Sequence, residues 1–104
     1  MGTQELLREI KSRLQAAHGA RLKGVILYGS RARGDAQPDS DYDVLVLLDG
    51  PIRLLPDIQA NVDATYPLVL QSGVSIHAMP ADVRDYEQGA CALYKVVKRE
   101  GVAV

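Results

Sequence analysis

Phenylalanine and tryptophan are both absent from the 104 residues, and the only aromatics are five tyrosines. A core must therefore be built from aliphatic side chains. A charge excess of one sign is missing too: 12 lysines and arginines face 13 aspartates and glutamates, a formal net charge of −1. No global field draws such a chain to DNA, RNA or a membrane surface, and with so few scattered aromatics direct nucleic-acid binding is not expected. The one cysteine, Cys91, cannot close an intrachain disulfide. The longest aliphatic run, Val44 to Leu48, falls far short of the ~20 residues of a membrane span. Met1 to Arg8 lack the apolar core of a secretory signal, so the expected location is the cytoplasm. What remains is ordinary globular composition, 47% hydrophobic and 24% charged, and a length that suits one domain over residues 1–104.

Periodicity divides the chain into a few elements. Leu6, Leu7, Ile10 and Leu14 recur at helical spacing between Thr3, a candidate N-cap, and Gly19, a candidate stop. Leu22 to Tyr28 is short, rich in strand formers and ended by Gly29, which predicts a buried strand. Arg31 to Ser40 is polar and carries Gly34 and Pro38, which predicts a short helical turn and then a loop. A strand is predicted over Asp41–Leu48, with Asp41, Asp43, Leu45 and Leu47 on one face and Tyr42, Val44, Val46 and Leu48 on the other. Leu55, Ile58, Val62 and Tyr66 give Ile52–Leu70 helical spacing despite Pro56 and Pro67. A third strand is expected over Val74–Met79, and a last helical stretch from Pro80 towards Gly101.

The informative segment runs from Gly29 to Asp43. Two aspartates one residue apart on a strand share a face, with Cβ atoms about 6.5 to 7 Å apart. That spacing suits shared binding of hard magnesium, which takes carboxylate oxygens together with substrate phosphates. A Gly-Ser pair (Gly29, Ser30) at the end of a buried strand offers free N–H groups and a hydroxyl to an anion, and glycine removes the Cβ that would block approach. Arg31 and Arg33 could add charge to a triphosphate, with Arg33 preferred because it directly precedes Gly34. Either feature alone is commonplace, since Asp-Tyr-Asp is often only a polar strand end and Gly-Ser pairs end many strands. Their joint order is informative: strand, Gly-Ser, polar connector, strand with two same-face carboxylates.

That segment resembles the signature of the MNT-type nucleotidyltransferases of the DNA polymerase β superfamily: Gly29-Ser30, ten intervening residues, then Asp41-Tyr42-Asp43. The connector Arg31-Ala32-Arg33-Gly34 and the approach Pro38-Asp39-Ser40 resemble the family as well. The resemblance implies an α/β (α+β) fold in its minimal form, a small mixed sheet flanked by helices. It implies magnesium-dependent transfer of a nucleotidyl group, AMP from ATP being the first expectation, with pyrophosphate leaving. Gly29, Ser30 and Arg33 would hold the nucleotide's phosphates, and Asp41 and Asp43 would be the catalytic metal ligands. Minimal members are similar to the antitoxins of toxin–antitoxin pairs, which implies a HEPN-type protein partner and a partner hydroxyl, a tyrosine first, as acceptor.

The sequence departs from the family pattern at one place. Competent members carry a third acidic residue on a later strand, and here that strand reads Val74-Ser75-Ile76-His77-Ala78-Met79. Ser75 or His77 is expected in the third position, neither a good substitute ligand for magnesium. Asp63 and Asp82 fall on predicted helices and are not promoted. A second reading therefore stands beside the enzyme: a catalytically silent nucleotidyltransferase-like module that neutralises or scaffolds a partner by contact. Elsewhere, His18 is expected to favour the C-terminal helix dipole and Cys91 to be a buried packing residue. Asp35 and Asp39 should be solvated loop carboxylates or local caps, and Lys95, Lys98 and Arg99 a solvated helix face.

Overall fold

The computed structural model describes residues 1–104. Helix α1 (Thr3–His18) leads through a 3-10 turn (Gly19–Arg21) into strand β1 (Leu22–Tyr28), and a four-residue helix α2 (Ser30–Arg33) follows. Strand β2 (Tyr42–Leu48), helix α3 (Leu54–Ser72) and strand β3 (Ile76–Asp82) come next. Helices α4 (Val83–Gln88) and α5 (Ala92–Glu100) and a two-residue strand β4 (Val102–Ala103) complete the chain. The sheet order is β3-β2-β1-β4, so β3 is a free edge. β2 runs antiparallel to β1 and parallel to β3, the mixed sheet expected. No helix is long and apolar enough to cross a membrane.

The two-residue period of β2 is realised. Tyr42, Val44, Val46 and Leu48 join Leu6, Ile10, Leu14, Val25, Leu27 and Leu68 in the larger core, under α1 and α3. Leu45 and Leu47 pack with Ala81 and Val97 on the opposite face, bordered by Tyr86 and Tyr94. Each large aliphatic side chain fully buried here, such as Ile10, Leu14 or Leu48, contributes about 1.5–3 kcal/mol. An aliphatic interior thus suffices without phenylalanine or tryptophan.

Several expectations need correction. The cap of α1 is Gly2, not Thr3; Thr3 is the first helical residue, and its hydroxyl lies 3.2 Å from that of Tyr42. Gly19, at φ 58°, does stop the helix. β3 extends three residues beyond Met79, because Pro80, Ala81 and Asp82 keep register with Val46, Leu47 and Leu48. The last helical stretch is broken at Gly89, which takes a left-handed conformation. Cys91 therefore stands at the N-cap of α5, exposed and not packed. His18 is buried, its Nε2 2.6 Å from Asn61 Oδ1, so it serves as a core polar group.

The largest departure is in α3, which presents its polar row to the interior. Asp57, Asn61 and Thr65 are buried, while Leu54, Leu55, Val62, Tyr66 and Leu70 are between 48% and 77% exposed. Each buried polar group has a partner, as burial requires. Asp57 takes two hydrogen bonds from Arg21 (2.9 and 3.2 Å) and one from the Arg53 amide (2.9 Å). Asn61 bonds His18 and donates to the Ala78 carbonyl (2.9 Å), and the Thr65 hydroxyl donates to the Asn61 carbonyl (2.8 Å). Pro67 falls on the exposed side, where water can take the carbonyl its ring leaves free.

Candidate active site

β1 delivers Gly29 to the site. Gly29 has φ 76°, and its carbonyl accepts from the amides of Ala32 and Arg33 (both 3.1 Å), starting α2. Gly34, at φ 85°, ends it one turn later. Asp43 faces Tyr28 in the antiparallel register. A Cβ built on Gly29 would stand 2.6 Å from Asp43 Oδ2. Glycine is therefore required twice over, by the positive φ and by the carboxylate lying against its backbone. The Gly-Ser turn and the Asp43 carboxylate meet at one place. Burial first, and then the Asp43 charge, push the Tyr28 phenol above its ordinary value.

Asp41 lies one residue before β2 instead of opening it, yet its carboxylate and that of Asp43 both lie against the His77 ring, on the one side the alternation predicts. The parallel ladder pairs Asp43 with His77. His77 Nδ1 is 3.4 Å from Asp43 Oδ1, and Nε2 is 3.7 Å from Asp41 Oδ2. Of Ser75 and His77, it is thus His77 that stands beside both carboxylates. Ser75 precedes β3, and its carbonyl accepts from the Tyr42 amide (2.9 Å). Asp63 is on α3 as expected and takes a hydrogen bond from Gln59. Asp82, by contrast, ends β3 and caps α4 through the Arg84 amide (2.9 Å), and not within a helix. Five residues beyond His77, it lies about 16 Å further along the strand. Neither Asp63 nor Asp82 takes part in the contacts that join His77 to Asp41 and Asp43.

The two arginines of the connector differ in use. Arg31 donates to the carbonyls of Ser40 (3.2 and 2.8 Å) and Pro38 (3.1 Å) and lies 4.2 Å above the Tyr42 ring. It clamps the connector that brings Asp41 to the sheet, a role with no mark in the sequence beyond the arginine itself. Arg33 is exposed and pairs with Asp35 and Glu100, each at 3.2 Å, and these carboxylates raise its pKa. Asp39 is exposed, as are Lys95, Lys98 and Arg99.

A groove of about 440 Å³ opens beside the carboxylates. Asp43, His77 and Tyr28 form its polar end, and Val62, Met79 and Leu93 are among its apolar walls. It wraps the free edge of β3 and meets the exposed side of α3. The donor set suits a divalent cation: two same-side carboxylates, an imidazole, and a backbone turn stripped of its Cβ. The three side chains are not gathered into a group that could hold a metal ion by themselves.

The family model described as "Nucleotidyltransferase domain" matches residues 5–98. A Methanocaldococcus jannaschii protein named as a protein adenylyltransferase is 33% identical over 79 residues, 76% of this chain and 73% of its own. A second protein of that name and organism is 43% identical over 44 residues, 42% of this chain and 44% of its own. Among solved structures, a toxin–antitoxin crystal structure with AMP-PNP superposes with a TM-score of 0.64 at 16% identity, covering 90% of this chain and 68% of that one. A Sulfolobus solfataricus nucleotidyltransferase does so at 0.61 and 21% identity, covering 95% and 76%. At these identities the structures speak for the fold alone. The sequence matches, the shared fold and the meeting of Gly29 with Asp43 agree: the chain belongs to the nucleotidyltransferase domain family.

Proposed function

We propose that this nucleotidyltransferase moves AMP from ATP to a hydroxyl on a partner protein, as an MNT-type antitoxin acting on a helical HEPN-type toxin in the cytoplasm. The observation that carries the reading is the seating of Asp43 against the Gly29 backbone, which unites a phosphate-binding turn and a metal carboxylate. Gly29 and Ser30 would hold the terminal phosphates through backbone N–H groups and the Ser30 hydroxyl. Arg33, on an exposed and flexible stem, would exchange Asp35 and Glu100 for phosphate oxygens. Asp41 and Asp43 would hold the divalent ion, which would supply charge neutralisation for the triphosphate and for the attacking oxygen; carboxylate and phosphate oxygens suit magnesium.

The acceptor oxygen forms its bond to the α-phosphorus, the bond from that phosphorus to the bridging oxygen breaks, pyrophosphate leaves, and the hydroxyl proton is released. His77, whose ring lies 3.4 and 3.7 Å from oxygens of the two carboxylates, would receive that proton. A protein acceptor is supported by the M. jannaschii relatives named as protein adenylyltransferases and by the apolar groove that runs from Asp43 towards the exposed face of α3. ATP is supported by the AMP-PNP complex among the structural neighbours.

The missing third carboxylate favours a second reading, a module that binds its partner without turnover. Incubation with labelled ATP, a divalent metal and a co-expressed partner, followed by intact mass of both chains, separates the two. Gain of AMP units on the partner, lost in Asp41→Asn, supports the enzyme. A stable complex with no mass gain supports the silent module.

A further inference from the structure

We infer that Glu100 is a positioning residue that competes with phosphate for Arg33, loosening the hold on nucleoside triphosphate and on the pyrophosphate left after transfer. The inference rests on the reading of Gly29, Ser30 and Arg33 as the phosphate-binding residues. Its own support is the way the Glu100 carboxylate is anchored. Arg33 Nη1 donates to Glu100 Oε1 and Arg33 Nε to Asp35 Oδ2, each at 3.2 Å. One cation between two anions leaves this corner with an excess of negative charge, at the end of the helix that Gly29 opens.

The two carboxylates differ in freedom. The Asp35 side chain is 62% exposed and that of Glu100 only 23%. Asp35 follows Gly34, where nothing lies within 4 Å of an added Cβ, so it can turn out into water. Glu100 is the last residue of α5, between the buried Val97 and Gly101. The Gly101 amide donates to the Val97 carbonyl (2.7 Å), and a Cβ on Gly101 would stand 2.6 Å from Ile26 Cγ2. The next residues, Val102 and Ala103, pair with Leu27 and Ile26. The backbone beside Glu100 is thus pinned to β1, the strand that ends at Gly29, and its carboxylate keeps its place.

The competition is close enough to be reversible. An exposed ion pair is weak, and an arginine fork binds phosphate oxygens strongly through two parallel hydrogen bonds. The terminal phosphates of a triphosphate can therefore draw Arg33 away from Glu100. Once pyrophosphate is the only ligand left, the fixed carboxylate recaptures the guanidinium and favours release. A nucleoside monophosphate lacks the terminal phosphates and leaves the pair intact.

The test is calorimetric titration of the full chain, at fixed magnesium, with ATP, inorganic pyrophosphate and AMP as separate probes. Glu100→Gln, which keeps the size and removes the charge, should bind ATP and pyrophosphate about threefold more tightly, the scale of one exposed ion pair. AMP affinity should stay the same, and Asp35→Asn should give a smaller gain. In an Arg33→Ala background the effect of Glu100→Gln should vanish. Unchanged or weaker ATP binding in Glu100→Gln would overturn the inference. A gain that AMP shares, or that survives in Arg33→Ala, would overturn it too, since a general charge effect needs no arginine. The NMR signal of the Arg33 Nε–H gives a reading in the unaltered chain: it should move with ATP or pyrophosphate and not with AMP. Arg33→Ala alone separates the two levels. If it weakens ATP binding while Glu100→Gln changes nothing, only the inference fails; if it leaves ATP binding unchanged, the reading of Arg33 fails with it.

Discussion

Asp43 and His77 occupy paired positions on parallel strands, with Oδ1 and Nδ1 3.4 Å apart. One belongs to the Asp41-Tyr42-Asp43 motif; the other lies on the neighbouring strand, at the position the sequence left open between Ser75 and His77. Around this pair the site's behaviour can be predicted.

Replacing Asp41 and Asp43 together by asparagine should abolish metal-dependent nucleotide binding in calorimetry. The fold should persist with stability within about 0.5 kcal/mol of the original, as for other exposed or half-exposed positions, read by urea denaturation. Retention of metal-dependent binding in the double variant would refute the carboxylate assignment.

Gly29→Ala tests the contact beneath the site. Its methyl group would meet Asp43 Oδ2 at 2.6 Å in a backbone at φ 76°, so the carboxylate must move. A loss of at least about 1 kcal/mol in stability is expected from the positive φ. A fall of about tenfold or more in metal affinity should accompany it, since a displaced ligand weakens the site at least as much as an altered supporting group. Gly34→Ala, where nothing lies within 4 Å of the added carbon, should show the first loss without the second.

The Arg21–Asp57 pair predicts acid sensitivity far from the site. The Arg21 guanidinium, aided by the Arg53 amide, holds the buried Asp57 carboxyl below its ordinary value of 3.8. A group depressed on folding stabilises the native state above its unfolded pKa and loses that contribution as pH falls through the folded value. Stability should be level near neutrality and decline below about pH 4. Asp57→Asn should lose about 1.5–3 kcal/mol at pH 7, the range for a charged hydrogen bond. It should also flatten the acid limb of a denaturant-midpoint against pH curve.

The exposed row on α3 predicts a separation of folding from partnership. Leu54, Ile58, Val62, Tyr66 and Leu70 follow one another at intervals of four, a ridge suited to packing against a second helix. Leu55→Glu with Tyr66→Glu should leave stability within about 0.5 kcal/mol and leave nucleotide binding unchanged, while abolishing AMP transfer to a co-expressed helical partner in intact-mass analysis. Transfer at the original level would remove α3 from the docking surface.

The strands and the site were legible where one local rule governs them. The alternation of β2 placed Asp41 and Asp43 with Leu45 and Leu47, and Gly29 and Gly34 bounded α2 as glycines with positive φ do. Choosing His77 over Ser75 required the register between β2 and β3, which is a relation between distant segments. The orientation of α3 failed for the same reason. Its apolar spacing marks a helix, but which row turns inward depends on Arg21, His18 and the Ala78 carbonyl waiting across the interface. Strand β4 is two residues long and exists only because β1 offers an edge at Ile26 and Leu27. Cys91 was misplaced because the break at Gly89 divides what reads as one helix.

The inverted helix has a consequence for how the chain tolerates change. In an ordinary amphipathic helix the apolar positions are fixed by folding and the polar ones drift. Along α3 the pattern is exchanged: Asp57, Asn61 and Thr65 are held by the fold, while Leu54, Leu55, Val62 and Leu70 are open to most helix-compatible residues as far as the monomer is concerned. A saturation scan of this one helix, sorted by protein abundance and by partner modification, would split into two interleaved rows, one reporting stability and the other reporting company.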